Sequence, residues 1–303
     1  MKYISVKQAA ELWSLSERSV RNYCAQGRIE GAFLTGKTWN IPENATKPTR
    51  TATAKKAPST LAEILADEMQ SGRKGGIYHK IQVELTYNSN HIEGSRLTAD
   101  QTRYIFETNT ISVLKDETIN VDDIIETSNH FRCIDLIIEN RSKKLSEAFI
   151  KELHRVLKSG TSDSRKAWFA VGDYKKQPNE VGGEITTLPG DVHAEMRRLI
   201  SEYENGAAKT LEDIVEFHAR FEKIHPFQDG NGRVGRLIMF KECLRSGVVP
   251  FIIDESIKLL YYNGLKNWDT QHGYLISTCQ LAQDAFREMM RYFEINNEKT
   301  INQ

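Results

Sequence analysis

The chain has 303 residues, room for two domains, and its 41 Lys and Arg side chains balance 41 Asp and Glu. No apolar run approaches a membrane span and no secretory leader is legible, so a cytoplasmic protein without membrane contact is expected. Cys24, Cys133, Cys243 and Cys279 lack paired metal-ligand spacing and read as buried, reduced thiols.

Charge is unevenly spread: residues 1–60 hold ten basic against four acidic side chains, a net of +6 that the rest of the chain offsets. A basic head suggests a nucleic-acid contact there. The first block reads YISVKQAAELWSLSERSVRNYCAQGRI. Ser5 followed by Gln8 is a capping-box start, and Ala9, Ala10 and Leu12 give a short helix. Ser16 caps a second helix with Val20, Tyr23 and Cys24 inside, stopped at Gly27. IEGAFLTGKTWNIP then forms a small hairpin around Thr35-Gly36-Lys37. Residues 1–45 resemble the winged helix-turn-helix of excisionase and MerR-type DNA-binding domains. That resemblance implies DNA contacts from Arg18, Arg21 and Asn22 on the second helix and Lys37 on the wing. Such units also serve as protein-docking modules.

Residues 46–60, within NATKPTRTATAKKAPST, lack hydrophobic periodicity and read as a linker. From residue 61 to 303 the pattern is mainly helical, with apolar residues at helical spacing in LAEILADEMQ, YHKIQVELTYNSNHIEG, VDDIIETSNHFRCIDLIIEN, SEAFIKELHRVLKS, DVHAEMRRLISEYEN, TLEDIVEFHARFEKI, GRVGRLIMFKECLRSG and CQLAQDAFREMMRYFE. Residues 171–190, with paired glycines and EITTL, break it and read as a β-hairpin.

IHPFQDGNGRVGR, residues 224–236, joins two of these helices. A loop ending in a helix N-terminus presents unpaired N–H groups and the positive end of the dipole, which is an anion site. Gly230 and Gly232 let the backbone approach phosphate oxygens. Arg233 and Arg236, three apart, share a helix face and can fork onto a polyphosphate. Asp229 is the lone carboxylate, enough for magnesium when phosphates and water complete its shell. His225, with an ordinary pKa of about 6.5, can take a proton from a hydroxyl near neutral pH. Phe227 would pin the loop to the core.

These residues match the signature of the Fic family at nine fixed positions, a coincidence on the order of one in 10¹² per window at average residue usage. The resemblance covers roughly residues 80–285, on the order of one domain. It implies a helical Fic domain with a β-hairpin flap, and an enzyme that transfers AMP from ATP to a Ser, Thr or Tyr hydroxyl of a target protein or of itself. By resemblance, His225 is the general base, Asp229 holds Mg²⁺, Gly230, Asn231 and Gly232 cradle the phosphates, and Arg233 and Arg236 take the β- and γ-phosphates.

The resemblance extends to TYNSNHIEGSRL, where Ser89, Glu93 and Gly94 fit the inhibitory pattern of the family. Ser89 and Glu93 are four apart and share a helical face, so the hydroxyl can steady the glutamate. The family pattern implies an inhibitory helix over about residues 80–94, whose Glu93 pairs with Arg236 and denies it to the γ-phosphate. It also implies docking of an extended target along the hairpin at Ile185, Thr186, Thr187 and Leu188. Tyr262, in LLYYNGLKNWD, would contact the adenine, although Asp269 stands where relatives often have asparagine.

Three alternatives stand beside this reading: removal of AMP, use of another nucleotide such as UTP, and a transcriptional regulator that uses the Fic domain only to sense nucleotide. The intact His225 speaks against a pure sensor. A homodimer is compatible with the sequence. His154 and His218 read as packing residues.

Overall fold

Ser5 ends one strand and caps the next helix. In the computed structural model, which describes residues 2–48, 60–113, 118–206 and 208–295, strand β1 (Tyr3–Ser5) runs directly into α1 (Val6–Trp13). The Ser5 hydroxyl accepts from the Gln8 N–H at 3.3 Å and the Gln8 side chain accepts from the Ser5 N–H at 2.9 Å. Helix α1 buries Val6, Ala9, Ala10 and Trp13, so Trp13 fills the inner face while Leu12 is exposed. Ser16 caps α2 (Glu17–Ala25), which buries Val20 and Cys24.

The expected hairpin forms as β2 (Phe33–Thr35) and β3 (Thr38–Pro42), with Thr35 opposite Thr38. The sequence reading missed β1, which pairs antiparallel with β3 from Tyr3–Pro42 to Ser5–Asn40 and completes a three-stranded sheet. At three residues, β1 is too short to show alternation. The chain divides into two units, Met1–Ala57 and Pro58–Gln303. Most of the expected linker lies outside the described residues.

The second unit is helical: α3 (Leu61–Ser71), α4 (Ile77–Ile92), α5 (Ala99–Thr108), α6 (Val121–Glu139), α7 (Glu147–Lys158), α8 (Val192–Glu204), α9 (Leu211–Ile224), α10 (Asn231–Ser246), α11 (Lys258–Lys266) and α12 (His272–Tyr292). Between α7 and α8 lies a hairpin of two-residue strands, β4 (Glu180–Val181) and β5 (Glu184–Ile185), turned by Gly182 and Gly183. None of the described helices is long and apolar enough to cross a membrane.

Helix α10 is the central strut. It is buried almost all round from Asn231 to Leu244 and packs against α3, α4, α6, α7 and α9. A helix enclosed on every side must satisfy its own polar groups. Lys241 therefore pairs with Glu242 at 2.7 Å, and Glu242 also takes Arg245 at 2.7 Å and the Tyr203 hydroxyl at 3.0 Å. Ile92, at the end of α4, is buried with Met239, Phe251, Tyr261 and Leu275. Burying such a side chain stabilises by about 1.5–3 kcal/mol. That anchor sets the next residue, Glu93, against the start of α10.

Candidate active site

Helix α9 stops where His225 enters the left-handed region, φ 51° and ψ 62°, with its N–H donating to the Phe221 carbonyl at 2.9 Å. A non-glycine residue held there is an uncommon conformation that the surroundings must enforce. The enforcement is visible. Phe227 is fully buried and stacks on His154, ring centroids 4.0 Å apart. The Asn231 amide accepts from the Phe227 N–H at 2.8 Å and donates to the Phe227 carbonyl at 2.9 Å. His154 accepts from the Gly172 N–H at Nδ1, 2.9 Å, so its Nε2–H donates to the Asp229 carbonyl at 3.2 Å. Gly230, at φ 82°, then turns the chain into α10.

The His225 ring lies over the end of its own helix. The ring Nδ1 is 3.9 Å from the Glu222 carboxyl group and has no hydrogen-bond partner among the described residues. In the tautomer that carries its proton on Nδ1, the Nε2 lone pair is the base. Burial, then the positive charge of Lys175, pull the imidazole down to about 4, so it is neutral at pH 7.

Asp229 sits in a cage of charge. Its Oδ2 accepts from Lys158 Nζ at 2.6 Å and Arg233 Nη2 at 3.3 Å. Burial alone would raise this carboxyl, but Arg233 and Lys158 outweigh it and hold it at about 2. Glu126, on α6, completes the cage: Lys158 reaches it at 2.5 Å and Arg233 pairs with its other oxygen. The Arg233 Nε is buried without a hydrogen-bond partner among the described residues.

Arg236 is held by Ser89 and Glu93. It donates to the Ser89 hydroxyl at 3.1 Å, the Ser89 carbonyl at 2.9 Å and the Glu93 carboxylate at 2.7 Å. Ser89 thus steadies the arginine, which corrects the expectation that it steadies the glutamate. Arg236 Nη1 is buried and unpartnered among the described residues, next to Gly232. A side chain at Gly232 would occupy the position of the Glu93 carboxylate. That glycine therefore makes room for an acid against the first turn of α10.

Glu222 faces the same corner. Burial, then the nearby Glu93 charge, push its carboxyl up to about 8, with Arg236 opposing. His218 Nδ1 lies 4.0 Å from it, and His218 Nε2 is 2.7 Å from the Tyr261 hydroxyl.

The hairpin is tied to this joint through its base. The Lys175 N–H donates to the Pro226 carbonyl at 2.8 Å, the Gln177 N–H to the Gln228 side chain at 3.3 Å, and Asn179 Nδ2 to the Phe227 carbonyl at 3.0 Å. Ile185 and Leu188 are exposed.

Such an assembly offers an anion pocket with two unpartnered guanidinium nitrogens, one ionised carboxylate and a neutral imidazole at its mouth. Residues 144–243 match the family model described as Fic/DOC family. Those residues carry the Fic/DOC domain of the chain. The protein adenylyltransferase Fic of Drosophila melanogaster is 32% identical over 190 residues, covering 59% of this chain and 36% of that protein. The protein of the same name from Drosophila mojavensis is 29% identical over 189 residues, covering 59% and 35%. The chain thus spans about a third of the length of these curated relatives. A Fic domain containing signaling protein from Bacteroides thetaiotaomicron superposes with a TM-score of 0.57 at 28% identity, covering 76% of this chain and 90% of that one. Fic-1 from C. elegans shares the fold, with a TM-score of 0.57 at 20% identity over 76% of this chain and 69% of that one.

The Fic joint brings together His225, Asp229, Gly230, Asn231, Gly232, Arg233 and Arg236, with Ser89, Glu93 and Gly94 alongside. Asn231 holds the loop with its side chain, leaving its position at the helix start for the phosphate cradle. Tyr262 is partly exposed at the edge, its hydroxyl 3.4 Å from the Ile92 carbonyl. Asp269 pairs with Lys223 at 2.5 Å. In the flap, β5 ends at Ile185, and the Thr186 hydroxyl turns inward to Asn179 and Lys175. Arg18, Arg21, Asn22 and Lys37 are exposed on the first unit, Arg21 paired with Glu17 at 2.7 Å.

Sequence reasoning missed Glu126, Lys158, Lys175 and Glu222. Glu222 lies three residues before His225, a helical spacing that would have found it. No local signal marks the other three.

Proposed function

We propose that this Fic protein transfers AMP from ATP to a hydroxyl of a target protein or of itself, and that Glu93 restrains it. The target oxygen attacks the α-phosphorus, the bond from that phosphorus to the bridging oxygen breaks, and pyrophosphate leaves. The hydroxyl proton passes to His225 Nε2. The amides of Gly230 to Gly232 and the forks of Arg233 and Arg236 hold the phosphates. Among the described residues no group of three or more His, Cys, Asp or Glu side chains could hold a metal ion. A single ionised Asp229 fits Mg²⁺ held chiefly by phosphates and water. When bound, that ion would neutralise phosphate charge at Asp229.

One observation carries the reading: in the helix that starts just after the His225 loop, the second arginine, Arg236, already grips a carboxylate at 2.7 Å. A carboxylate in that place mimics a phosphate and bars its entry. The test is incubation of the full-length Glu93→Gly chain with ATP labelled at the α- or the γ-phosphate. Label retained from the α position alone supports adenylyl transfer, whereas label from the γ position refutes it. Labelled UTP in parallel separates the nucleotide donors. For the first unit, exposure of Arg18, Arg21, Asn22 and Lys37 supports DNA binding. Binding to duplex DNA that does not weaken with added salt would count against it.

A further inference from the structure

Lys175 is a lysine in an unusual place. It is 3% exposed, yet among the described residues its ammonium meets only neutral oxygens: Asn179 Oδ1 at 2.7 Å, Thr186 Oγ1 at 2.5 Å and the Ile224 carbonyl at 3.4 Å. A buried ammonium is normally paired with a carboxylate or drives toward neutrality. Here burial alone pulls it down to about 8. The three acceptors belong to three different pieces of chain. Asn179 immediately precedes β4, Thr186 immediately follows β5, and Ile224 is the last residue of α9 before His225. The same acceptors are cross-linked: Thr186 donates from its N–H to the Asn179 carbonyl at 3.2 Å, and Asn179 donates to the Phe227 carbonyl at 3.0 Å.

We infer that Lys175 is a positioning residue that latches both roots of the hairpin to the end of α9, so that a docked target and the His225 ring are held in one frame. This rests on the transferase reading for the meaning of the frame, not for the latch itself. The exposed flap tip has strands of only two residues each, too short to set its own angle. The latch supplies that angle from the buried side, with three directed N–H donors on one cation. Its charge also lies close enough to the imidazole to lower the His225 pKa. Flap and base are therefore coupled both by geometry and by charge.

Amide exchange of the full-length chain tests the latch without any activity assay. Lys175→Met should speed exchange at Thr186 and Gln177 by about ten- to hundredfold, the scale of a lost charge-assisted hydrogen bond. Amides within α10 should not change. Thr186→Val should speed the same two amides, and the double variant should add little to either single one. Unchanged flap amides, fully additive effects, or acceleration spread evenly through α10 would each overturn the latch. A kinetic arm uses self-labelling in the Glu93→Gly background. Lys175→Met should lower kcat about tenfold and leave the KM for ATP unchanged. A raised KM for ATP at unchanged kcat would place the lysine in nucleotide binding and overturn the flap role. If Glu93→Gly itself takes no label, the transferase reading fails while the exchange results still judge the latch.

Discussion

Glu93 and Arg236 are 143 residues apart in the chain, and their side chains meet at 2.7 Å. The arginine is 4% exposed and the glutamate, on the side chain, 30% exposed. One partner is thus fixed in the core while the other reaches in from the rim. Release therefore needs only the glutamate to move, because Ser89 goes on holding Arg236 through two hydrogen bonds. A charge-assisted contact of roughly 1.5–3 kcal/mol corresponds to about ten- to hundredfold suppression. Glu93→Gly should raise self-modification with ATP by that factor, measured as incorporated label per minute. An unchanged or lower rate would refute the brake.

On the proposed transferase reading His225 is the base and Arg233 and Arg236 grip the phosphates, so proton transfer and nucleotide grip should be separable. His225→Ala in the Glu93→Gly background should cut labelling by about 10²–10⁴, the range of one general base. Titration with a fluorescent ATP analogue should find binding within about threefold of the parent, since phosphate contacts carry the grip. A sensor that needs no base would keep its activity in this variant.

Local pattern carried much of this site. The run from His225 to Arg236 is contiguous, and its glycines and arginines express their chemistry through spacing alone. Ser89 and Glu93 lie on one helical turn, and the capping box at Ser5 follows from its three-residue spacing to Gln8. What stayed hidden depends on contacts between distant helices. Glu126 meets Arg233 across 107 residues, and Lys158 meets Asp229 across 71. A lysine at the end of α7 reads as solvent-facing, because lysine is seldom fully buried. Helix α11 is short and α5 has too few apolar residues to show a period.

Gly235 tests the seam between α9 and α10. In a helix interior, Gly→Ala ordinarily stabilises by about 1 kcal/mol. Here an added Cβ would lie 2.7 Å from Glu222 Oε1 and from two atoms of the His218 ring. The glutamate end could swing away, but His218 is fully buried and held to Tyr261 at 2.7 Å. The clash should prevail, so that Gly235→Ala destabilises by about 1–3 kcal/mol, as overpacking does. Urea unfolding midpoints would check this, and a gain in stability would show that the seam is looser than it looks.

Glu222 gives the fold a pH signature of its own. Its folded carboxyl titrates near 8, against about 4.3 in an unfolded chain. Between those values the unfolded chain has released this proton and the folded one still holds it. Stability is therefore fully present below about 4.3 and is lost as pH rises through 8, with a slope of up to about 1.4 kcal/mol per pH unit. His130, His154 and His218 act in the opposite sense. Burial pulls each down to about 3, so their contribution is complete above about 6.5 and is lost as pH falls toward 3. The two trends together place the stability maximum between the acid loss and the alkaline loss. Glu222→Gln removes only the alkaline one. The variant should gain on the parent protein between pH 5 and pH 8 in urea unfolding, because glutamine keeps the shape without the ionisation. A gain that stays constant or shrinks with rising pH would mean that Glu222 is already ionised in the folded protein, where it would compete with Glu93 for Arg236.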